Sequence, residues 1–136
     1  MLALEVKEMA EASEVLKKLG VGKITHHLLL CTGPKCCDES VGQKAWEAVK
    51  AEIASSGLGQ GEEICFRTKV GCLRLCQQGP VALVYPEGVW YGEITADRVP
   101  HLVQQHLVSG VAVKEWQLAE NRLSGHSRGE GLSLFS

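Results

Sequence analysis

Six cysteines in a chain of 136 residues constrain what this sequence can form more than any other feature. Four of them make two pairs, a C-x4-C pair at Cys31 and Cys36 and a C-x3-C pair at Cys72 and Cys76. The N-terminal segment mixes acidic and basic residues among its apolar ones, which is unlike a secretory signal. The cysteines therefore predict metal or redox chemistry in a cytoplasmic protein rather than disulfide staples.

Length, charge and hydropathy allow one ordinary globular domain with a core of its own. The formal net charge of −2 is too balanced for a polybasic nucleic-acid binder, and 45% hydrophobic residues is a usual share. No apolar run approaches the length of a membrane-spanning helix. We expect neither nucleic-acid binding nor membrane insertion.

The apolar periodicity predicts an α/β fold, a small mixed sheet with helices packed on it. The predicted elements are a helix over 5–19, a strand over 24–31, a helix to about Ser55 begun by a Ser40–Gln43 capping box, a strand over 63–68, a hairpin of VALVY and VWYG, and a helix over 96–108 capped by Thr95. We divide the chain into an N-terminal helical region, 1–22, a cysteine-bearing domain, 23–114, and a flexible tail, 115–136.

The cysteine pairs fall in loops between these elements and supply the four thiolates that a binuclear iron–sulfur cluster needs. Their spacing is unlike the C-x2-C of common structural zinc sites and unlike the plant-type C-x4-C-x2-C run. Glycines in the loops, such as Gly33, Gly71 and Gly79, let backbone N–H groups approach an anionic cluster. Basic residues in the same loops either compensate the cluster charge or are simply solvated: Lys35, Lys69 and Arg74.

The segment GCLRLCQQGPVALVYPEGVWYG strongly resembles the C-terminal half of thioredoxin-like [2Fe-2S] ferredoxins, where a C-x3-C pair precedes Gly-Pro and a VxVYPEGxWY hairpin. The upstream LLLCTGPKCC resembles the related cluster subunit of NADH dehydrogenase complexes and bidirectional hydrogenases. The resemblance covers about residues 24–110 and implies a thioredoxin-like fold, one-electron transfer between redox partner proteins, and a homodimer. It also implies a [2Fe-2S] cluster on four ligands: Cys31, Cys36, Cys72 and Cys76.

Departures from the family leave two questions open. The short first spacing is that of the dehydrogenase subunit, yet only about 20 residues stand for its long helical N-terminal region. The chain is therefore either a carrier that works alone or a fixed subunit of a larger oxidoreductase. Because Cys36 and Cys37 are adjacent, the second ligand is uncertain by one residue, with Cys36 favoured. Pro80, after Gly79, stands where thioredoxin-like folds often carry a cis-proline.

Other interpretations of the same residues are weaker. Zinc also accepts four cysteine ligands, and a zinc site would make the protein a non-redox metal-binding module. An iron–sulfur carrier would be a second kind of non-redox module. A disulfide oxidoreductase normally needs a C-x-x-C, which this sequence lacks. His26 and His27 could replace thiolates as in Rieske centres, but they lie at the entry of the strand and not in the loop. Cys65 lies in an apolar run and is expected in the core.

The sequence contains no P-loop, no nucleophile elbow and no dinucleotide fingerprint. Hydrolytic and phosphoryl-transfer chemistry therefore have no support. A nicotinamide or flavin donor would have to be bound by another chain. We predict an electron carrier, not an enzyme.

Overall fold

The computed structural model describes residues 3–123, which form a five-stranded mixed sheet with helices packed against it. The strands lie in the order β2-β1-β3-β4-β5. They are β1 Ile24–Cys31, β2 Ile64–Val70, β3 Val81–Tyr85, β4 Val89–Tyr91 and β5 Gln117–Glu120. The helices are α1 Ala3–Lys18, α2 Glu39–Ser55 and α3 Val99–Leu102, which continues as a π-helical segment over Val103–Val108. The predicted α/β architecture is confirmed.

Two strands with long apolar runs, β1 and β3, form the centre of the sheet, where β3 and the second half of β1 are largely buried. Leu28 and Leu30 of β1 are fully buried, and so is Val84 of β3. The β1–β2 pair is parallel and the other three pairs are antiparallel. Both central strands begin and end as the sequence predicts, because continuous apolar runs bounded by turn residues mark buried strands clearly.

The connection from β1 to β2 runs through α2, as parallel neighbours require. One face of α2 is buried with the sheet, through Ala45, Trp46, Val49 and Ile53. The predicted capping box is wrong: the helix begins at Glu39, and Asp38 precedes it without a side-chain cap. Gln43 instead donates to Glu47 one turn later, at 2.8 Å, so its amide is used along the helix surface.

The last helix places its predicted apolar face in the core, where Val99, Leu102, Val103 and Leu107 are buried. It starts at Val99 rather than at residue 96. Thr95 hydrogen-bonds the Asp97 carboxylate instead of capping a helix.

The structure differs from the prediction at the start of the expected tail. Residues Gln117–Glu120 form β5, which pairs antiparallel with β4 at the edge of the sheet. Beyond it, the Asn121 N–H donates to the Gly88 carbonyl at 2.8 Å and the Leu123 N–H to Pro86 at 3.1 Å. A strand paired on one side only, with most side chains exposed, leaves little apolar pattern in the sequence. The rest of the predicted tail, 124–136, lies outside the described residues.

The N-terminal helix α1 is confirmed, and its residues from Glu5 to Lys18 are exposed. Among the described helices, none has the length and apolar character needed to cross a membrane.

Candidate metal centre

The cysteine loops leave the sheet at one edge because β1 and β2 run parallel. Cys31, the last residue of β1, is paired in register with Val70, the last residue of β2. On its other side Cys31 faces Val81, the first residue of β3. The loop after β1 and the loop between β2 and β3 therefore meet at this edge.

The two loops enclose a cavity of about 170 Å³. Its lining contains all four predicted ligands, Cys31, Cys36, Cys72 and Cys76. The remaining lining residues are Pro34, Lys35, Gly71 and Leu75. Two pairs of thiols that are far apart in the sequence thus face one common space, and four soft sulfur donors are the set that iron–sulfur clusters use.

The first pair is packed into the protein. Cys31 is 3% and Cys36 8% exposed, and their sulfur atoms are 3.3 Å apart. The Gly79 N–H donates to the Cys36 carbonyl at 3.0 Å. A Cβ at Gly79 would lie 2.6 Å from both the carbonyl oxygen and the sulfur of Cys36, so the close approach requires glycine. The peptide bond from Gly79 to Pro80 is cis.

The pKa values of the two buried thiols, which contact each other closely, are shifted in opposite directions. Burial, together with its contacts with Cys31 and Cys37, raises the pKa of Cys36 to about 12. Burial acts on Cys31 in the same direction, but backbone hydrogen bonds from Gly33 and Leu73 and the Cys36 contact outweigh it. The pKa of Cys31 is therefore lowered. Metal binding would replace the proton held between these sulfurs, because thiolates are the ligands.

The second pair is exposed. Cys72 and Cys76 lie at the surface of the loop between β2 and β3. The backbone N–H of Arg74 points at Cys72 Sγ from 3.1 Å, and both Arg74 and Gln78 have positive φ. An N–H directed at a ligand sulfur stabilises its negative charge, as the glycine-rich loops suggested.

The remaining cysteines stay out of the cavity, and all six cysteines are free thiols. Cys37 Sγ is 3.8 Å from Cys36 Sγ but does not line the cavity, because its backbone packs against Gly33. Cys65 is buried in the main core, and burial raises the pKa of its thiol to about 12. The geometry thus favours Cys36 over Cys37 as the second ligand and agrees with the core role expected for Cys65.

The two adjacent histidines do not line the cavity that the four cysteines face. His26 and His27 belong to the first half of β1, whereas Cys31 ends that strand. His27 Nε2 hydrogen-bonds Thr68 Oγ1 at 2.7 Å, and His26 contacts Glu87. A Rieske-type ligand set therefore has no geometric support. Of the three basic residues expected in the loops, Lys35 lines the cavity, whereas Lys69 belongs to β2 and lines a neighbouring groove.

Sequence reasoning did not identify the apolar wall of the cavity. Cys31, Cys36 and Val81 form a small buried cluster of their own. The residues packed against it include Leu73, Leu75 and Trp90. Trp90 alternates with the buried Tyr91 along β4, and that alternation was the available signal.

The fold and the cavity together define the class of protein: a mixed-sheet α/β protein with a centre of four thiols. Comparisons with known proteins define the family. No family model matches the chain. It is 34% identical over 100 residues to a "Ferredoxin, 2Fe-2S" of Clostridium pasteurianum, covering 68% of this chain and 95% of the relative. It is 34% identical over 90 residues to a "Putative 2Fe-2S ferredoxin" of Priestia megaterium, covering 66% and 67%.

Among solved structures, the chain is similar to a thioredoxin-like [2Fe-2S] ferredoxin from Aquifex aeolicus. The TM-score is 0.60 at 26% identity, and the match covers 75% of this chain and 97% of that one. This chain therefore belongs to the thioredoxin-like [2Fe-2S] ferredoxins. The predicted fold and family are confirmed.

Proposed function

We propose that this protein carries single electrons between redox partner proteins on a [2Fe-2S] cluster. The observation that carries the proposal is the common cavity, because it brings together four thiols from two loops. The names of the relatives support the cofactor. The proposed ligands are Cys31, Cys36, Cys72 and Cys76.

The cavity fits such a cluster in its donor chemistry. Two cysteines from each loop match two ligands for each of two irons. When bound, the cluster supplies the one-electron step. The residues of this chain would hold it: Leu75 lines the cavity, and Leu73 and Trp90 pack against the buried cluster that contains Cys31 and Cys36. The Arg74 N–H stabilises negative charge on the Cys72 sulfur.

The exposed pair defines where partners approach. Electron transfer requires short distances, and Cys72 and Cys76 reach the surface while Cys31 and Cys36 do not. We place the docking face for the donor and the acceptor around the loop between β2 and β3. In this role the chain acts as a carrier and not as an enzyme.

The same proposal covers the cellular setting and the assembly. Six free cysteines are typical of the reducing cytoplasm, so we place the protein there. The resemblance to ferredoxins supports a homodimer, which a mass measurement by light scattering on the holoprotein would test. The division into an N-terminal region, 1–22, a cluster domain, 23–114, and a tail stays a prediction, with β5 now part of the sheet.

A second candidate keeps the chemistry but fixes the chain inside a larger oxidoreductase. The exposed helix α1 favours it, because Val6, Met9 and Leu16 offer apolar surface that nothing in residues 3–123 covers. Native gel electrophoresis of cell extract, probed for this chain, separates the two. A free carrier runs at the size of one or two chains, and a subunit runs with a large assembly.

The central experiment is metal analysis of anaerobically purified protein together with absorption and EPR spectra. We expect about two irons and two sulfides per chain, and an EPR signal that appears only after one-electron reduction. The matched control is Cys65→Ser, which removes a cysteine outside the cavity and should keep the cluster. One zinc per chain and no visible absorption, even after reconstitution with iron and sulfide, would contradict electron transfer and leave a zinc-binding module.

A further inference from the structure

A second group of potential metal ligands lies at the opposite end of the sheet from the cysteine cavity. It consists of His26 near the start of β1, Glu87 in the turn between β3 and β4, and His106 in the π-helical segment. Cys31 is five positions beyond His26 along β1, which is roughly 16 Å along a strand. The group is therefore separate from the proposed cluster site.

The three side chains converge on one point. Glu87 Oε1 is 3.2 Å from His26 Nε2 and 3.0 Å from His106 Nε2. All three ligand atoms lie within 4.8 Å of one another. Around tetrahedral Zn²⁺, with bonds of 2.0–2.2 Å to nitrogen and oxygen, neighbouring ligand atoms are about 3.3 Å apart. The two distances from Glu87 Oε1 to the histidine nitrogens are within a few tenths of an ångström of this spacing, so an ion can take the place of the hydrogen-bonding protons.

The buried histidine is held from behind. His106 is 1% exposed, and its Nδ1 lies 2.7 Å from the Tyr91 hydroxyl. The Val113 N–H donates to the same hydroxyl oxygen at 3.0 Å, which fixes its position. A hydroxyl oxygen has two acceptor sites, so it can also accept from Nδ1–H. Metal-binding histidines almost always have such a partner on the second nitrogen, because it orients the ring and selects the tautomer.

Burial and charge also suit a cation. The side chains of His26 and Glu87 are 18% and 25% exposed, so an ion can enter from solvent and keep water in its remaining position. Burial lowers the pKa of His106, which favours the neutral imidazole that binds metals. The positive charge of Arg122 would repel a bound cation. Its Nη2 lies 3.9 Å from Oε2 of Glu87, whereas the two histidines contact Oε1.

We propose that His26, Glu87 and His106 form a binding site for a divalent transition-metal ion of the Zn²⁺ type. Two imidazoles and one carboxylate suit such ions, whereas Ca²⁺ and Mg²⁺ prefer all-oxygen sites. Water completes the coordination. The proposal does not depend on the function of the cysteine centre.

The test is a calorimetric titration of the oxidised holoprotein with ZnCl₂, with iron, sulfide and visible absorption followed on the same sample. We expect one Zn²⁺ per chain to bind while iron and sulfide stay constant. Two variants address the site without touching the buried histidine, His26→Gln and Glu87→Gln. Each should weaken Zn²⁺ binding at least about tenfold, since even the loss of an outer-shell partner commonly costs that much.

The matched control is His27→Gln, which removes the neighbouring histidine of the same strand. Its ring contacts Thr68 and Phe66 and lies outside the group, so zinc affinity should equal that of the natural sequence. Equal affinities in all four proteins would overturn the proposal. So would the absence of binding, or zinc uptake matched by iron release, which would assign the ion to the cysteines.

Discussion

The two cysteine pairs supply equal numbers of proposed ligands but lie in very different surroundings. Cys31 and Cys36 are 3% and 8% exposed, at the end of a central strand and beneath a glycine backbone. Cys72 and Cys76 are exposed in a loop with two residues at positive φ. The core of the protein fixes the first pair, whereas the second pair belongs to an exposed loop that is anchored through Leu73 and Leu75.

This difference separates two requirements of an electron carrier. A rigid, dry pair fixes the geometry of the site, because buried side chains have few alternative positions. An exposed pair lets a partner approach and lets the loop adjust. The comparison predicts that equivalent changes in the two pairs have unequal effects.

The largest effect is expected for Cys36→Ser. A serine oxygen forms shorter bonds than sulfur and must lose its proton in a buried place, where desolvation opposes the charged form. The core around Cys36 cannot move to compensate, so we expect loss of most iron and sulfide. Metal analysis and absorption after anaerobic purification measure this. A full cluster in Cys36→Ser would show that burial does not make cysteine necessary at this position.

The same substitution at Cys72 should be milder. The exposed loop can shift to bring a serine oxygen to the metal, and water stabilises its charge. We expect a cluster that is retained with an altered absorption and EPR spectrum and is lost faster to an iron chelator. If Cys72→Ser loses its cluster as completely as Cys36→Ser, the two pairs do not differ in the way proposed.

Two Gly→Ala substitutions test how tightly the backbone packs against the first cysteine pair. In Gly79→Ala, the new methyl group meets the carbonyl oxygen and the sulfur of Cys36 at 2.6 Å. Overpacking of this kind costs about 1–3 kcal/mol of unfolding free energy. The matched substitution Gly59→Ala, in the connection between α2 and β2, places a methyl with nothing within 4 Å. Thermal unfolding of both holoproteins should show a lower midpoint for Gly79→Ala only, and equal midpoints would contradict the tight approach.

The smallest effect is expected for Cys37→Ser, beside the proposed ligand Cys36. Cys37 does not line the cavity, so iron content and spectrum should match those of the natural sequence. EPR of the reduced protein is the sensitive measurement. Loss of the signal in Cys37→Ser together with its survival in Cys36→Ser would exchange the assignments of the two residues.

Much of the site was predictable because its signals are local. The apolar runs gave β1 and β3, and the spacing of the cysteines gave the four thiols that the structure collects. That Cys36 and not Cys37 faces the cavity could be favoured but not decided, since adjacent residues in a loop have no periodicity. Packing against Gly33 and Gly79 separates them.

The features that sequence reasoning missed depend on distant partners. Strand β5 can be recognised only from its pairing with the edge of β4. The group of His26, Glu87 and His106 comes from three elements that the sheet topology brings together. From the sequence alone, His26 is an ordinary residue at the start of a strand, and His106 is an ordinary residue of a helix. A sequence pattern cannot express proximity that long-range pairing creates.

The parallel pairing of β1 and β2 also determines when the cysteine centre can exist during folding. Its two halves lie on opposite sides of α2 and β2 in the chain and meet only when Cys31 stands beside Val70. Closing that crossover costs chain entropy before any contact repays it, which makes parallel pairing a slow event. A newly made chain therefore holds two separate thiol pairs at first. The centre is a late product of folding, and iron and sulfide meet a complete set of ligands only after the sheet has closed.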